Sequence, residues 1–355
     1  MNTAIVAITP RGAELARKLT ASLPGTTCFL PERFHHSDNV SYFTHPLKDL
    51  LREAFQTYDG LVCIMATGIV VRLLAPFLQG KAVDPAVVVV DETGRFAVSL
   101  LSGHLGGANR LAEQVAKAVG GQAVITTATD VNNLPAWDTA AVEAGLVIEP
   151  LEKIKLFNRL LLEGQAIVLV DPGQRLAGVY RDVPGVFCCS TFMDAETSGI
   201  AERIYVTHRL IPAGNASGEL LLLRPRDLVL GLGCNRGTPA SEIDDAVMRV
   251  LKNAALSSSS VRSIATIVDK QDEVGLNEYA RDKGLIVDYF SAEELNAMEV
   301  PSAPSLHALK AVGARGVCEP AALRAAQSDH LLVRKQKCGN VTVAVAEISG
   351  ENKGL

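Results

Sequence analysis

Asp84-Pro-Ala-Val-Val-Val-Val-Asp-Glu92 sets four consecutive valines between a turn signal and a pair of acids. A run this short and this β-branched reads as a strand, and a strand apolar at every position must be covered on both faces. Such cover comes from helices packed above and below a sheet. Outward from the valines the pattern repeats, with strand-like runs at 4–9, 26–30, 60–66, 96–101 and 123–128. Helical stretches at 11–22, 47–57, 69–77 and 107–119 separate most of them. This alternation is the signature of an α/β domain around a mostly parallel sheet.

The rest of the chain extends the same fold class. An N-terminal α/β domain at 1–135 is followed by a small α/β middle module at 136–225 and a C-terminal α/β domain at 226–350. The two outer domains are expected to have mostly parallel sheets. The middle module reads as helices at 136–144 and 151–163, then strands at 166–171, 186–190 and 203–208. The last domain opens on the strand Leu228 to Leu232, and Ser241 is the expected N-cap of its first helix. Further strands are expected at 262–268, 285–290 and 341–348, with helices at 274–283, 305–312 and 319–327. Ser291-Ala-Glu-Glu294 has capping-box spacing, and the serine run Ser257 to Ser260 reads as a surface loop.

Bulk properties narrow the function. A chain of 355 residues exceeds what one core usually organises. The net charge of −5 gives no basic field, so a nucleic-acid partner is not expected. No apolar run approaches the ~20 residues of a membrane span, and Met1 leads straight into a strand rather than a signal peptide. A cytoplasmic protein with no membrane contact is expected. The seven cysteines form no Cys-x-x-Cys pair, so neither a zinc site nor a disulfide framework is indicated.

Chemistry concentrates at the ends of strands. Ala66-Thr67-Gly68 runs from a strand into a helix, where free backbone N–H groups could cradle an anion and Arg72 could assist. Ser99-Leu-Leu-Ser102-Gly103-His104-Leu-Gly106-Gly107-Ala-Asn109 puts an imidazole in a glycine-rich loop. Its pKa suits general acid or base work, although a structural loop histidine is equally compatible. Thr126-Thr-Ala-Thr129-Asp130 ends another strand, where Asp130 could hold a ligand or simply cap a helix. Of the adjacent Asp91 and Glu92, at most one can face a site. In the last domain, Gly231-x-Gly233-Cys-Asn235-Arg236-Gly237 departs from the dinucleotide fingerprint and suits carboxylate binding better. Lys270 and Glu273 follow a strand in the same way.

These segments, in this order, resemble the cobalt-precorrin-5A hydrolase family. The resemblance runs from about residue 60 to the end through Ala66–Arg72, Asp84–Glu92, Leu100–Asn109, Thr126–Asp130, Gly231–Cys234, Lys270–Glu273, Pro320–Leu323 and Val341–Ala346. It implies hydrolysis of a δ-lactone on the ring-A side of cobalt-precorrin-5A, with C20 leaving in acetaldehyde and cobalt-precorrin-5B as product. Cobalt would arrive inside the substrate, so no resident metal or organic cofactor is expected. Transient contact with neighbouring methyltransferases and a homodimer are possible partnerships. A non-catalytic carrier of the same tetrapyrrole is the alternative. For such a reaction His104 is the expected base, with Asp91 or Glu92 as substitute base or orienting partner. Ser102 and the amides of Gly103, Gly106 and Gly107 are expected at the oxyanion. Thr67, Gly68, Arg72, Asn109, Thr129, Asp130, Gly233, Asn235, Arg236, Lys270 and Glu273 are expected to bind substrate.

Overall fold

The computed structural model describes residues 1–36, 40–80, 83–211 and 218–348. Residues 349 and 350, the end of the span assigned above to the last domain, lie outside them. The chain forms two compact units, Met1–Ala140 and Ala141–Leu355. Among the described residues it is α/β, with three sheets.

The first unit holds seven strands: β1 (Thr3–Ala7), β2 (Thr26–Pro31), β3 (Ser41–Phe43), β4 (Gly60–Ile64), β5 (Ala86–Val90), β6 (Phe96–Leu101) and β7 (Gln122–Val124). Their order is β3-β2-β1-β4-β5-β6-β7. All five residues of β5 are buried, as the valine run requires. Val88 and Val90 pack into a cluster with residues of the helices Pro10–Ser22 and Ala108–Val119. Val87 and Val89 pack on the other face with those of Leu47–Thr57 and Thr67–Leu74. One strand thus serves two cores.

The sheet is parallel from β3 to β5, but β6 runs antiparallel to β5 and β7 follows β6. The short link Asp91–Arg95 enforces this reversal, because a parallel return needs a crossover of a dozen or more residues. Asp91 shapes the turn by accepting from Thr93 N at 2.9 Å and Phe96 N at 2.7 Å, while Gly94 takes φ 73°. Leu101 therefore lies beside Val87, at the start of β5. Asp91 is four residues on from Val87, about 13 Å along the strand. The loop after β6 opens at the opposite end of the sheet from Asp91.

The second unit carries two five-stranded sheets. The first comprises β8 (Leu146–Glu149), β9 (Ile167–Val170), β10 (Val186–Cys189), β11 (Arg203–Val206) and β12 (Leu220–Pro225), in the order β10-β9-β11-β12-β8. The other comprises β13 (Leu228–Cys234), β14 (Val261–Ile267), β15 (Ile286–Phe290), β16 (Leu331–Cys338) and β17 (Val341–Glu347), in the order β15-β14-β13-β17-β16. In the latter, β13, β14 and β15 are parallel, whereas β17 runs antiparallel to both of its neighbours. The helices Val274–Lys283 and Leu47–Thr57 match their expected bounds, and Ser291 forms the full capping box with Glu294.

Two expectations are corrected here. Ser241 is not an N-cap: the cap position is Pro239, two residues earlier, and Ser241 lies inside the helix Ala240–Asn253. The serine run is not a surface loop either, since Ser257 is 4% exposed and Ser260 fully buried. It seams the two sheets together: Ser257 N donates to His208 O at 2.8 Å, and the Ser259 hydroxyl donates to Glu149. A small uncharged hydroxyl costs far less to bury than a charge, and Ser260 Oγ is buried with no hydrogen-bond partner among the described residues.

Gly231 also has a packing role. A Cβ there would stand 1.8 Å from Cys318 O and 2.9 Å from the Ala322 side chain. The helix Cys318–Ala326 lies that close on β13, so Gly231→Ala forces the two apart. A loss at the upper end of ~1–3 kcal/mol is expected. It is read as a lower denaturant midpoint, and an unchanged midpoint contradicts this packing.

Candidate active site and ligand cavity

His104 sits in the loop after β6, whose path its neighbours dictate. Ser102 takes φ 58°, a left-handed conformation strained for a residue with a side chain. A Cβ on Gly106 would meet the Ser102 Cβ at 2.3 Å, and one on Gly103 would meet Asn109 Oδ1 at 2.8 Å. Glycine is required at both positions by close approach. Gly107, at φ 83°, then opens the helix Ala108–Val119.

This fold holds His104 between two carboxylates. Nε2 lies 2.8 Å from Asp130 Oδ2, and Nδ1 lies 3.3 Å from Asp138 Oδ1. Thr129 Oγ1 stands 3.2 Å from Nε2. Asn109 Nδ2 donates to Asp130 Oδ2 at 3.2 Å and to Thr127 Oγ1 at 3.0 Å, and the Thr127 hydroxyl also donates to Asp130. Ser99 Oγ fixes Asn109 from behind at 2.7 Å. Side-chain exposure falls from 39% at Asp130 to 15% at His104 and 10% at Asp138, so the array runs from solvent inward.

The electrostatics follow from this arrangement. The hydrogen bond to Asp138 raises the His104 pKa most; burial opposes it, and Asp130 adds to the rise. Burial pushes Asp130 upward, but the bonds from Thr127 and His104 outweigh it and hold the carboxyl below its usual value. Both ring nitrogens face acceptors, which favours imidazolium. A proton leaving Asp130's side of the array therefore finds a strong base in neutral His104. If neutral His104 is the working form, turnover rises with pH through a value above the usual 6.5. Asp138→Asn removes the largest raising contribution, so that limb moves down toward 6.5. A limb that stays in place in the mutant's pH–rate profile rules out Asp138 as the tuning group.

The other candidates of the first unit scatter. Asp91 is spent on its turn; burial raises its pKa, but the Thr93 and Phe96 bonds hold it low, unlike a base. Glu92 accepts from Thr9 Oγ1 at 3.0 Å, at the same end of the sheet as Asp91. Neither orients His104, because β6 carries the histidine to the other end. Thr67 and Gly68 are exposed at the start of the helix Thr67–Leu74, and Arg72 folds back onto it, donating to Gly68 O at 2.9 Å. Gly107 N–H is spent on His104 O at 2.9 Å. The amides of Gly103 and Gly106 meet no acceptor among the described residues. Asp138 was not foreseen, since the sequence reading placed it in a helix of the middle module. The available signal was its position beside Trp137, which is fully buried.

In the second unit a cavity of about 730 Å³ opens on the last sheet. Gly233, Asn235, Arg236 and Lys270 line it, as do Arg315, Lys335 and Lys337, which the sequence reading missed. Glu273 does not; it is 3% exposed and accepts from Gly237 N at 2.7 Å and Lys270 Nζ at 3.3 Å. Arg236 pairs with Asp272 at 2.8 Å.

His208, Asp227 and Glu347 bring ligand atoms within 4.8 Å of one another. Arg175 lies 3.2 Å from Asp227, so a guanidinium already balances that charge. Among the described residues no helix is long and apolar enough to cross a membrane.

Residues 49–130 match the family model Cobalamin synthesis G N-terminal, residues 135–225 Cobalamin biosynthesis central region, and residues 228–346 Cobalamin synthesis G C-terminus. The chain is 36% identical over 354 residues to a cobalt-precorrin-5A hydrolase of Priestia megaterium, covering 97% of this chain and 94% of the relative. It is 34% identical over 352 residues to a cobalt-precorrin-5A hydrolase of Salmonella typhimurium, covering 97% of each. A shorter relative, Protein CobE of Sinorhizobium sp, is 32% identical over 121 residues, covering 34% of this chain and 79% of its own length.

Proposed function

The chain belongs to the cobalt-precorrin-5A hydrolase family of cobalamin biosynthesis, and from that premise we propose that it opens the ring-A δ-lactone of cobalt-precorrin-5A and releases C20 as acetaldehyde. The observation that supports this most is the Asp130–His104–Asp138 array in a glycine-shaped loop. Asp130 is its solvent-facing member and meets the attacking water. The water's proton passes to the Asp130–His104 pair as the new C–O bond forms at the lactone carbonyl. Asp138 stabilises the imidazolium from the inner side. The amides of Gly103 and Gly106, with the Ser102 hydroxyl, are the donors proposed for the oxyanion, whose stabilisation is usually the largest single contribution.

Collapse of the tetrahedral intermediate breaks the ester C–O bond and leaves an alkoxide on C20. That alkoxide becomes a carbonyl as the bond from C20 to the ring breaks. The electron pair stays in the macrocycle, which takes a proton from the imidazolium, and the two-carbon aldehyde departs. Cobalt enters and leaves within the substrate, and we assign the chain no resident cofactor. Carboxylate recognition is assigned to the cavity residues Gly233, Asn235, Arg236 and Lys270. Passing a labile product onward favours brief contact with the pathway's methyltransferases.

Acetaldehyde release from enzymatically prepared cobalt-precorrin-5A tests the reading. Stoichiometric release with formation of cobalt-precorrin-5B supports it. Binding without release replaces it with a carrier role.

A further inference from the structure

The cations of the C-terminal cavity fall into two classes. Arg236 and Lys270, those the sequence pointed to, are already engaged by Asp272 and Glu273. Arg315, Lys335 and Lys337 have no carboxylate partner among the described residues. Two acids also line the cavity, Asp269 and Glu319; Glu319 is 2% exposed, yet cations do not satisfy it. It accepts from Ser302 N at 3.3 Å, Ser302 Oγ at 2.9 Å and the backbone N of Lys335 at 2.8 Å. Neutral donors quench that carboxylate, and the Lys335 ammonium is left to the cavity. Lys335 and Lys337, both on β16, line the same cavity. Arg315 stands just before the helix Cys318–Ala326, whose first residues also line the wall.

In a chain of net charge −5, three unpaired cations around one concavity make a local field that ligand anions feel strongly. Between them lies apolar surface from Ile267, Val300, Ala308 and Val312. A broad apolar body with carboxylates around its rim matches both features. We propose that Arg315, Lys335 and Lys337 are the specificity-determining clamp for the substrate's peripheral carboxylates, selecting a free-acid tetrapyrrole over its amidated counterpart. The proposal rests on the hydrolase reading for the identity of the ligand. It moves the main recognition from Arg236 and Lys270 to groups with no internal partner to abandon. An amide has nearly the shape of a carboxylate but no charge, so cations with no partner of their own tell the two apart most strongly.

The full chain is titrated with two cobalt corrinoids, one carrying free side-chain carboxylates and the other fully amidated. The free acid is expected to bind at least ~10-fold tighter, with a preference that shrinks as salt rises. Arg315→Gln and Lys335→Gln each weaken the acid about 10-fold and leave the amide unchanged. In turnover they raise KM and leave kcat. Equal affinity of the native chain for acid and amide overturns the clamp. So does an unaltered preference in both variants when their circular dichroism is native. A chain that keeps the preference but releases no acetaldehyde sinks the hydrolase reading and leaves the clamp standing.

Discussion

Replacing His104 with asparagine lowers acetaldehyde release from cobalt-precorrin-5A at least ~100-fold, within the range of lost general acid–base catalysis. Asparagine keeps a polar group near Asp130 and Asp138 but cannot take up a proton at neutral pH. The loss should appear in kcat, with KM nearly unchanged, because carboxylate recognition is assigned to other residues. The companion Asp130→Asn is expected to fall by a similar factor, since it removes the solvent-facing member of the array. Single-turnover release measured with bound substrate separates chemistry from binding. Near-native release by His104→Asn rules out the array as the proton-handling unit. Asp91 and Glu92 do not replace it, because at the other end of the sheet the Asp91 carboxylate holds the turn and that of Glu92 accepts from Thr9.

Arg224→Ala is expected to destabilise the second unit by about 2–3 kcal/mol, less than stranding one half of a fully buried ion pair costs, because the Glu149 side chain is 35% exposed and water screens it. Arg224 is 2% exposed, with Nε on Glu149 Oε2 at 2.7 Å and Nη1 on Thr207 O at 2.9 Å and Arg209 O at 2.6 Å. Those acceptors lie on both sides of β12. Glu149 in turn accepts from Ser259, which ties the middle sheet to the last one. Removing the guanidinium leaves the buried Thr207 carbonyl, the part-buried Arg209 carbonyl and the Glu149 carboxylate each short of a donor. Arg224→Met, which refills the volume but not the charge, should recover little. Denaturant unfolding of the full chain reads the loss, and a change under 1 kcal/mol in both variants would show that water replaces the guanidinium. His104 lies in the other unit, so its acetaldehyde chemistry should survive wherever the mutant stays folded.

The sequence carried the α/β class because Val87 to Val90 leave no polar face. It also carried the helix Leu47–Thr57, whose amphipathic period is local, and the Ser291 cap, whose partners lie three residues apart. The glycines around His104 marked a loop under steric demand. The reversal at Asp91–Arg95 was available from the short link, which excludes a parallel return, but it was not drawn from the sequence, because a strand's own residues are silent on direction. That silence misassigned the histidine's partners. The strand β16 escaped notice because an edge strand need not hide its polar residues, and its lysines went with it.

From sequence alone followed the layers, the strand core, the glycine-bound histidine and the resemblance to a lactone hydrolase. Those rest on periodicity and on residue types set by neighbours in the chain. Tertiary structure alone decided that His104 meets Asp130 and Asp138 rather than Asp91, and which cations already have partners. Both depend on strand direction and on contacts between residues far apart in sequence, as between Lys335 and Glu319. A single residue's type encodes neither, because pairing is a property of the space the fold creates.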